Sequence, residues 1–244
     1  MVTVTSYNDA FYRFLAVTSG ASAHAVLPHL LDIIHPESVL DVGCGTGEWL
    51  KAFADAGVSD IQGVDGPWVN ADALQIPRDC FRAVDLRVPI DLGRHFDLVV
   101  SLEVAEHIPH ASADTFVDSL VRHGDIVLFS AAIPGQGGTF HVNEQWPEYW
   151  GKRFKARGYV GIDCVRPLVW EDPSVDYWYA QNVFLFVRDT TLASHATLQR
   201  ESLRAGTELR ALVHPRLWQA RSTVIGAILA NLNRVRDRLR RFRA

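Results

Sequence analysis

Val39-Leu-Asp-Val-Gly-Cys-Gly-Thr-Gly-Glu48 reads as a strand that runs straight into glycines at 43, 45 and 47 and then into a helix. Glycine in such a turn lets the backbone reverse sharply and approach a ligand with no Cβ in the way. The helix that follows, residues 48–55, carries Trp49, Leu50 and Phe53 on one face, the spacing of a helix packed on a sheet. Outward from this unit the same alternation continues. Short strand-like runs at 61–64 and 81–84 precede two near-continuous apolar runs, FDLVVSL at 96–102 and DIVLFS at 125–130. Strands buried on both faces of a parallel sheet read in that way. Between those two runs, residues 111–121 place Phe116, Val117 and Leu120 at helical spacing. Residues 160–168 and 183–187 (VFLFV) are also strand-like, and they lie too close together for a crossover helix. They predict a final antiparallel pair.

The expected fold is therefore α/β: a doubly wound, mostly parallel, Rossmann-like seven-stranded sheet with an antiparallel last strand. Its domain is expected over 36–188, after a mostly helical segment 1–35 and before a helical extension 189–244 that His214-Pro215 divides in two.

Composition sets the class. At 244 residues the chain holds one large domain, or one domain and an extension. With 48% apolar and 21% charged residues and a net charge of -4, it reads as an ordinary globular protein and not as a nucleic-acid coat. No apolar run approaches the roughly 18 residues of a spanning helix, and MVTVTSYNDAFYRF at the start has no basic region or signal core. Cys44, Cys80 and Cys164 are odd in number and widely spaced, which fits a reducing cytoplasm with no disulfide framework. A cytoplasmic location is the expectation.

Acids stand at fixed places around the glycine loop. Asp65 ends the second strand 18 residues beyond Gly47, where a carboxylate can take both hydroxyls of a ribose. Asp85 ends the third strand, where it can accept from an exocyclic amine. The loop is G-x-G-x-G and not the dinucleotide pattern G-x-G-x-x-G, and Asp41 precedes its first glycine by two residues. A carboxylate there repels a pyrophosphate but suits an ammonium or sulfonium. On LDVGCGTG, Asp65, Asp85-Leu86 and FDLVVSLEVAEHI, the sequence resembles the class I S-adenosylmethionine-dependent methyltransferases over roughly residues 30–188. The resemblance implies S-adenosylmethionine as methyl donor. It implies that Gly43, Cys44 and Gly45 lie against its methionine part with Asp41 near the ammonium. Asp65 with Gly66 would hold the ribose, Asp85 and Leu86 the adenine, and Glu103 would lie near the reaction centre.

The acceptor is narrowed by what is missing. The Asn/Asp-Pro-Pro-Tyr signature of exocyclic-amine methylation is replaced by SLEVAEH at 101–107, and Pro134 is followed by Gly135 where cytosine-carbon enzymes have Pro-Cys. Nucleic acid is therefore not the expected partner. The segment after the fifth strand, IPGQGGTFHVNEQWPEYW at 133–150, sets aromatic and polar side chains at the sheet's carboxyl end, where ligands bind in open α/β sheets. It is similar to bacterial methyltransferases of sugars and polysaccharides, which implies an O-methyltransferase for a carbohydrate hydroxyl, with a methylated mannoside as one product. An O-methyltransferase for a polyketide or phenolic hydroxyl is the alternative, and a non-catalytic methyltransferase-like binding subunit another. His141 is the candidate general base, since a neutral imidazole works near its own pKa; a loop histidine that only holds backbone is the alternative. Glu144 then orients His141, contacts substrate hydroxyls, or caps the helix starting near Pro147. His107, Asn143, Trp146 and Tyr149 are candidate acceptor contacts, and a purely structural hydrogen bond is the other reading of His107. A Mg²⁺ that positions two substrate hydroxyls has only Glu103, Glu106, Glu144 and His141 as clustered ligands, because Ala131-Ala132-Ile133 stands where paired acids would be.

At the ends, Tyr7, Phe11, Tyr12 and Phe14 predict an aromatic N-terminal helix that covers the cofactor mouth or packs in the core. Ile225, Ile228, Leu232, Val235, Leu239 and Phe242 form a heptad seam within a tail whose arginines, from Arg234 to Arg243, make it basic. Docking on its own domain, pairing into a homo-oligomer and attraction to an anionic surface all fit that seam.

Overall fold

The computed structural model describes residues 9–223 of the chain, with side chains from residue 18 on. They fall into two compact units, divided between Ala211 and Leu212. The first contains a seven-stranded sheet in the order β3-β2-β1-β4-β5-β7-β6. Its strands are β1 (Ser38–Val42), β2 (Asp60–Asp65), β3 (Phe81–Ala83), β4 (Leu98–Leu102), β5 (Ile126–Ser130), β6 (Tyr159–Ile162) and β7 (Phe184–Arg188). All pairings among β1 to β5 are parallel, and β7 is antiparallel to both β5 and β6. The expected fold is the observed one.

Burial explains the strand runs. Every residue of β4 and of β5 is buried, because helices cover both faces. On one face lie α1 (Asp9–Leu31), α2 (Glu48–Asp55) and α6 (Tyr177–Asn182), which contribute Val26, Leu30, Leu50, Phe53 and Ala180 to one core cluster. On the other lie α3 (Ala113–His123) and α4 (Pro147–Lys155), with Phe116, Leu120, Trp150 and Phe154 in a second cluster. Phe154 stacks on Phe186 of β7 with ring centroids 3.9 Å apart, which fixes α4 against the antiparallel strand.

Two stretches differ from expectation. The strand read at 160–168 ends at Ile162, and Arg166–Val169 is helical (α5). Arg166 is buried and held by Asp163, by the carbonyls of Gln181 and Arg210, and over the Phe184 ring, so the chain turns there. Pro167 in the first turn of α5 has no N–H to leave unpaired. After β7, the helical stretch is broken earlier than Pro215, into α7 (Asp189–Ser194) and α8 (Ala196–Ala205). His195 is the cause: its Nδ1 accepts from the Leu198 N–H at 3.3 Å and starts a new helix. In the second unit, residues 215–223 are helical, and His214 Nδ1 accepts from the Arg216 N–H at 3.1 Å as its cap. The heptad seam and Tyr7 lie outside the described residues. No helix among the described residues is long and apolar enough to cross a membrane.

Candidate active site

The strand order reverses between β1 and β4, so the connections leave to opposite sides and open a crevice at the carboxyl ends of these two strands. A cavity of about 540 Å³ occupies that place. The glycine loop, Asp65, Asp85 to Arg87, Glu103, Glu106, His107 and His141 line it, with Tyr177, Trp178 and Tyr179 of α6.

The loop is shaped by close approach. A Cβ on Gly43 would lie 2.4 Å from Val104 Cγ2, and the residue has φ +89. The Gly43 and Cys44 N–H groups donate to the Val64 carbonyl at 2.8 and 3.2 Å, tying the loop to β2. Asp65 completes the tie: Oδ2 accepts from the Gly45 N–H at 2.8 Å and Oδ1 from the Gly66 N–H at 2.5 Å. Burial raises the pKa of Asp65 against these bonds, and burial raises that of Asp41 well above the usual carboxylate range, with repulsion from Asp65 and Glu48 adding to it. This end of the cavity therefore concentrates carboxyl groups. Gly66 is not among the lining residues; Trp68 packs against it.

Asp85 and Leu86 line the cavity as expected, but the carboxylate of Asp85 is already engaged. Arg87 donates to it through Nε at 2.8 Å, Nη2 at 2.7 Å and the backbone N–H at 2.9 Å. These bonds hold its pKa down to about 2. An adenine amine would meet this pair and not a lone acid.

Glu103 follows β4 with φ +56, a left-handed conformation that a non-glycine residue adopts only when its surroundings impose it. Here they do. Its N–H donates to the Ser130 carbonyl and Oγ, while its carboxylate accepts from Gln136 Nε2 at 2.7 Å and Asn182 Nδ2 at 3.0 Å. Burial pushes its pKa up to about 7 in spite of those donors.

The loop after β5 brings His141 to the wall. His141 Nδ1 lies 2.9 Å from Glu144 Oε1, and Glu144 also accepts from the Gly135 and Gly137 N–H groups at 2.8 and 2.6 Å. Burial alone would raise the Glu144 pKa, but the bonds from His141 and the two glycines hold it below the ordinary value. His141 Nε2 lies 3.8 Å from Glu106 Oε1, and the rings of His107 and His141 meet edge to face at 4.9 Å. Burial and His141 lower the pKa of His107 to about 4, so it is neutral.

The other acceptor candidates do not line the cavity. Asn143 is buried, with Oδ1 accepting from Gln145. Trp146 is exposed beside α4. Tyr149 packs under the Arg153 guanidinium at 3.7 Å and bonds His110 through its hydroxyl at 2.5 Å. Sequence reasoning missed Tyr177, Trp178 and Tyr179, although DYWYAQN at 176–182 is densely aromatic, and it missed Arg87. Ser19, whose hydroxyl lies 3.0 Å from that of Tyr179, carries no sequence signal at all.

A model of the methyltransferase domain matches residues 18–158, more than half of the chain. No curated protein matches it. Among solved structures, it is similar to the sugar N-methyltransferase KedS8 from Streptoalloteichus sp ATCC 53650, at 20% identity and TM-score 0.56 over 74% of this chain and 92% of that one. It is similar to DesVI of Streptomyces venezuelae at 16% identity and TM-score 0.53, over 72% of this chain and 96% of that one. It is also similar to the magnesium protoporphyrin IX methyltransferase ChlM from Synechocystis PCC 6803, at 20% identity and TM-score 0.51, over 72% and 85% of the two chains. At these identities the structures speak for the fold, and the domain match speaks for the family. The chain belongs to the methyltransferase-domain family, and its fold is that of the class I methyltransferases.

Proposed function

We propose that the protein transfers the methyl group of S-adenosylmethionine to a carbohydrate hydroxyl, with His141 as general base and Glu144 as the residue that orients it. The observation that carries this reading is the 2.9 Å contact of His141 Nδ1 with Glu144 Oε1 at the cavity wall. A carboxylate on Nδ1 fixes the ring proton there, leaves the Nε2 lone pair for the acceptor hydroxyl, and stabilises the imidazolium that forms. The Gly135 and Gly137 N–H groups hold Glu144 in turn.

The residues present fit S-adenosylmethionine. The open space at Gly45, where a Cβ would meet no atom within 4 Å, and the crowded carboxyls of Asp41, Glu48 and Asp65 favour a cationic ligand lying close to the backbone. Asp41 would face the ammonium, Asp65 the ribose, and Leu86 with the Asp85–Arg87 pair the adenine. The cofactor supplies a methyl carbon on a positively charged sulfur. ChlM, whose structures carry S-adenosylmethionine and its demethylated product, supports this donor. Tyr177 and Trp178 with Gln136 and Glu106 offer apolar faces and polar edges of the kind a polyhydroxylated ring needs. An amino group on the same ring is the second reading, favoured by the buried carboxyls of Glu103 and Glu106 beside the acceptor's place.

Methyl transfer from labelled donor to a panel of sugars, amino sugars and phenols tests the acceptor. His141→Ala is expected to lower turnover on the sugar by about 10²–10⁴-fold at unchanged cofactor affinity. Near-normal turnover in this variant removes the base, and transfer confined to phenols removes the carbohydrate.

A further inference from the structure

Glu106 and His107 leave β4 together, and the loop after β5 folds back on them. The Val142 and Asn143 N–H groups both donate to the Glu106 carbonyl at 2.9 Å, which clamps His141 opposite the pair. Ligand-capable atoms of Glu106, His107 and His141 then lie within 4.8 Å of one another. Glu106 is 1% exposed and its Oε2 has no hydrogen-bond partner. A buried carboxylate oxygen in that state is costly unless a proton or a ligand completes it.

We propose that Glu106, His107 and His141 form a binding site for a divalent transition metal of the zinc class. Both histidines are set as metal ligands are set. His141 gives Nδ1 to the Glu144 carboxylate at 2.9 Å, His107 gives Nδ1 to the Phe140 carbonyl at 3.3 Å, and Nε2 of each ring is left to coordinate. Phe140 holds φ +63 to present that carbonyl. Gly138 keeps the place clear, since a Cβ there would lie 2.2 Å from His141 Nε2. The remaining carboxylates are engaged elsewhere: Glu103 by Gln136 and Asn182, Glu144 by His141 and the two glycine N–H groups. Mg²⁺ takes oxygen ligands in octahedral array, so a set with two imidazoles selects against Mg²⁺ and for zinc or its neighbours. Three protein ligands leave coordination open to the cavity. Metal on Nε2 uses the lone pair that would take the acceptor proton, so metal loading removes His141 from proton transfer.

The test uses full-length protein stripped with chelator, Zn²⁺ and Mg²⁺ calorimetry, and the visible absorption of Co²⁺. One equivalent of Zn²⁺ is expected to bind, with Mg²⁺ weaker by about 100-fold or more. Glu106→Gln and His107→Ala each remove tight binding, and Glu144→Gln weakens it by about 10–100-fold, with melting temperatures reporting an intact fold. Absence of Zn²⁺ binding in the unmodified protein overturns the proposal. So does binding that is unchanged in folded Glu106→Gln and His107→Ala. The outcome separates from the methyl-transfer reading. Methyl transfer that requires the metal supports the site and removes the His141 base, whereas His141-dependent transfer by stripped protein that binds no Zn²⁺ does the reverse.

Discussion

Gly43→Ala probes the contact on which the glycine loop depends. The added Cβ would stand 2.4 Å from Val104 Cγ2, 2.6 Å from Cγ1 and 3.1 Å from Cβ, against an ordinary carbon–carbon contact of about 3.5–4.0 Å. Val104 is buried at the exit of β4, so it cannot swing into solvent. Overpacking of this kind costs about 1–3 kcal/mol. The φ of +89 adds a second cost of about 1–2 kcal/mol for any residue with a side chain. Gly43→Ala should therefore lose about 2–5 kcal/mol of stability in urea unfolding, or open the loop and lose S-adenosylmethionine binding in calorimetry. Val104→Ala separates the two costs. By itself it loses about 1–2 kcal/mol of burial, but in the Gly43→Ala background it removes both Cγ clashes and leaves the backbone cost in place. The double variant should be more stable than the sum of the singles by about 1–3 kcal/mol. Additivity to within about 0.5 kcal/mol would refute the close approach, as would a Gly43→Ala protein with unchanged stability and cofactor affinity.

Glu103 has its carboxyl pKa raised from 4.5 to about 7 by burial, so the folded state favours the proton and its contribution to stability is lost as pH rises from about 4.5 through about 7. Glu103→Gln should flatten that part of the stability–pH curve; parallel curves for the two proteins would contradict it. Arg87→Ala frees Asp85, whose pKa should rise from about 2 toward the ordinary value; a carboxyl chemical shift followed by NMR that titrates unchanged would deny the pairing. Phe154→Ala removes the ring stacked on Phe186 and should cost about 3–5 kcal/mol in urea unfolding, with a loss below about 1 kcal/mol counting against that packing.

Local patterns in this chain carry their own physics, and the fold follows from them. The apolar runs at 98–102 and 126–130 need two covered faces, the glycines at 43, 45 and 47 need a turn, and Asp65 needs the loop amides that its strand end meets. The His141–Glu144 pair was legible too, because three residues of loop span it. Where local cues compete, they mislead: Val160 to Leu168 is apolar enough for a strand, yet the buried Arg166 and its bonds to Asp163, Gln181 and Arg210 bend it into a helix. The end of the first unit at Ala211 likewise follows from contacts and not from a change in composition.

The rest of the site is a product of register. Gln136 and Asn182 reach Glu103 only because β7 lies antiparallel beside β5, and Tyr179 meets Ser19 across 160 residues of chain. Glu106 and His107 stand next to His141 because two backbone hydrogen bonds fold a glycine-rich loop onto the end of β4. Periodicity and turn chemistry act over a few residues and are written in the chain itself. Distances between segments far apart in sequence are set by how the sheet pairs and how its helices pack, so which side chains share the cavity was decided by the tertiary structure alone.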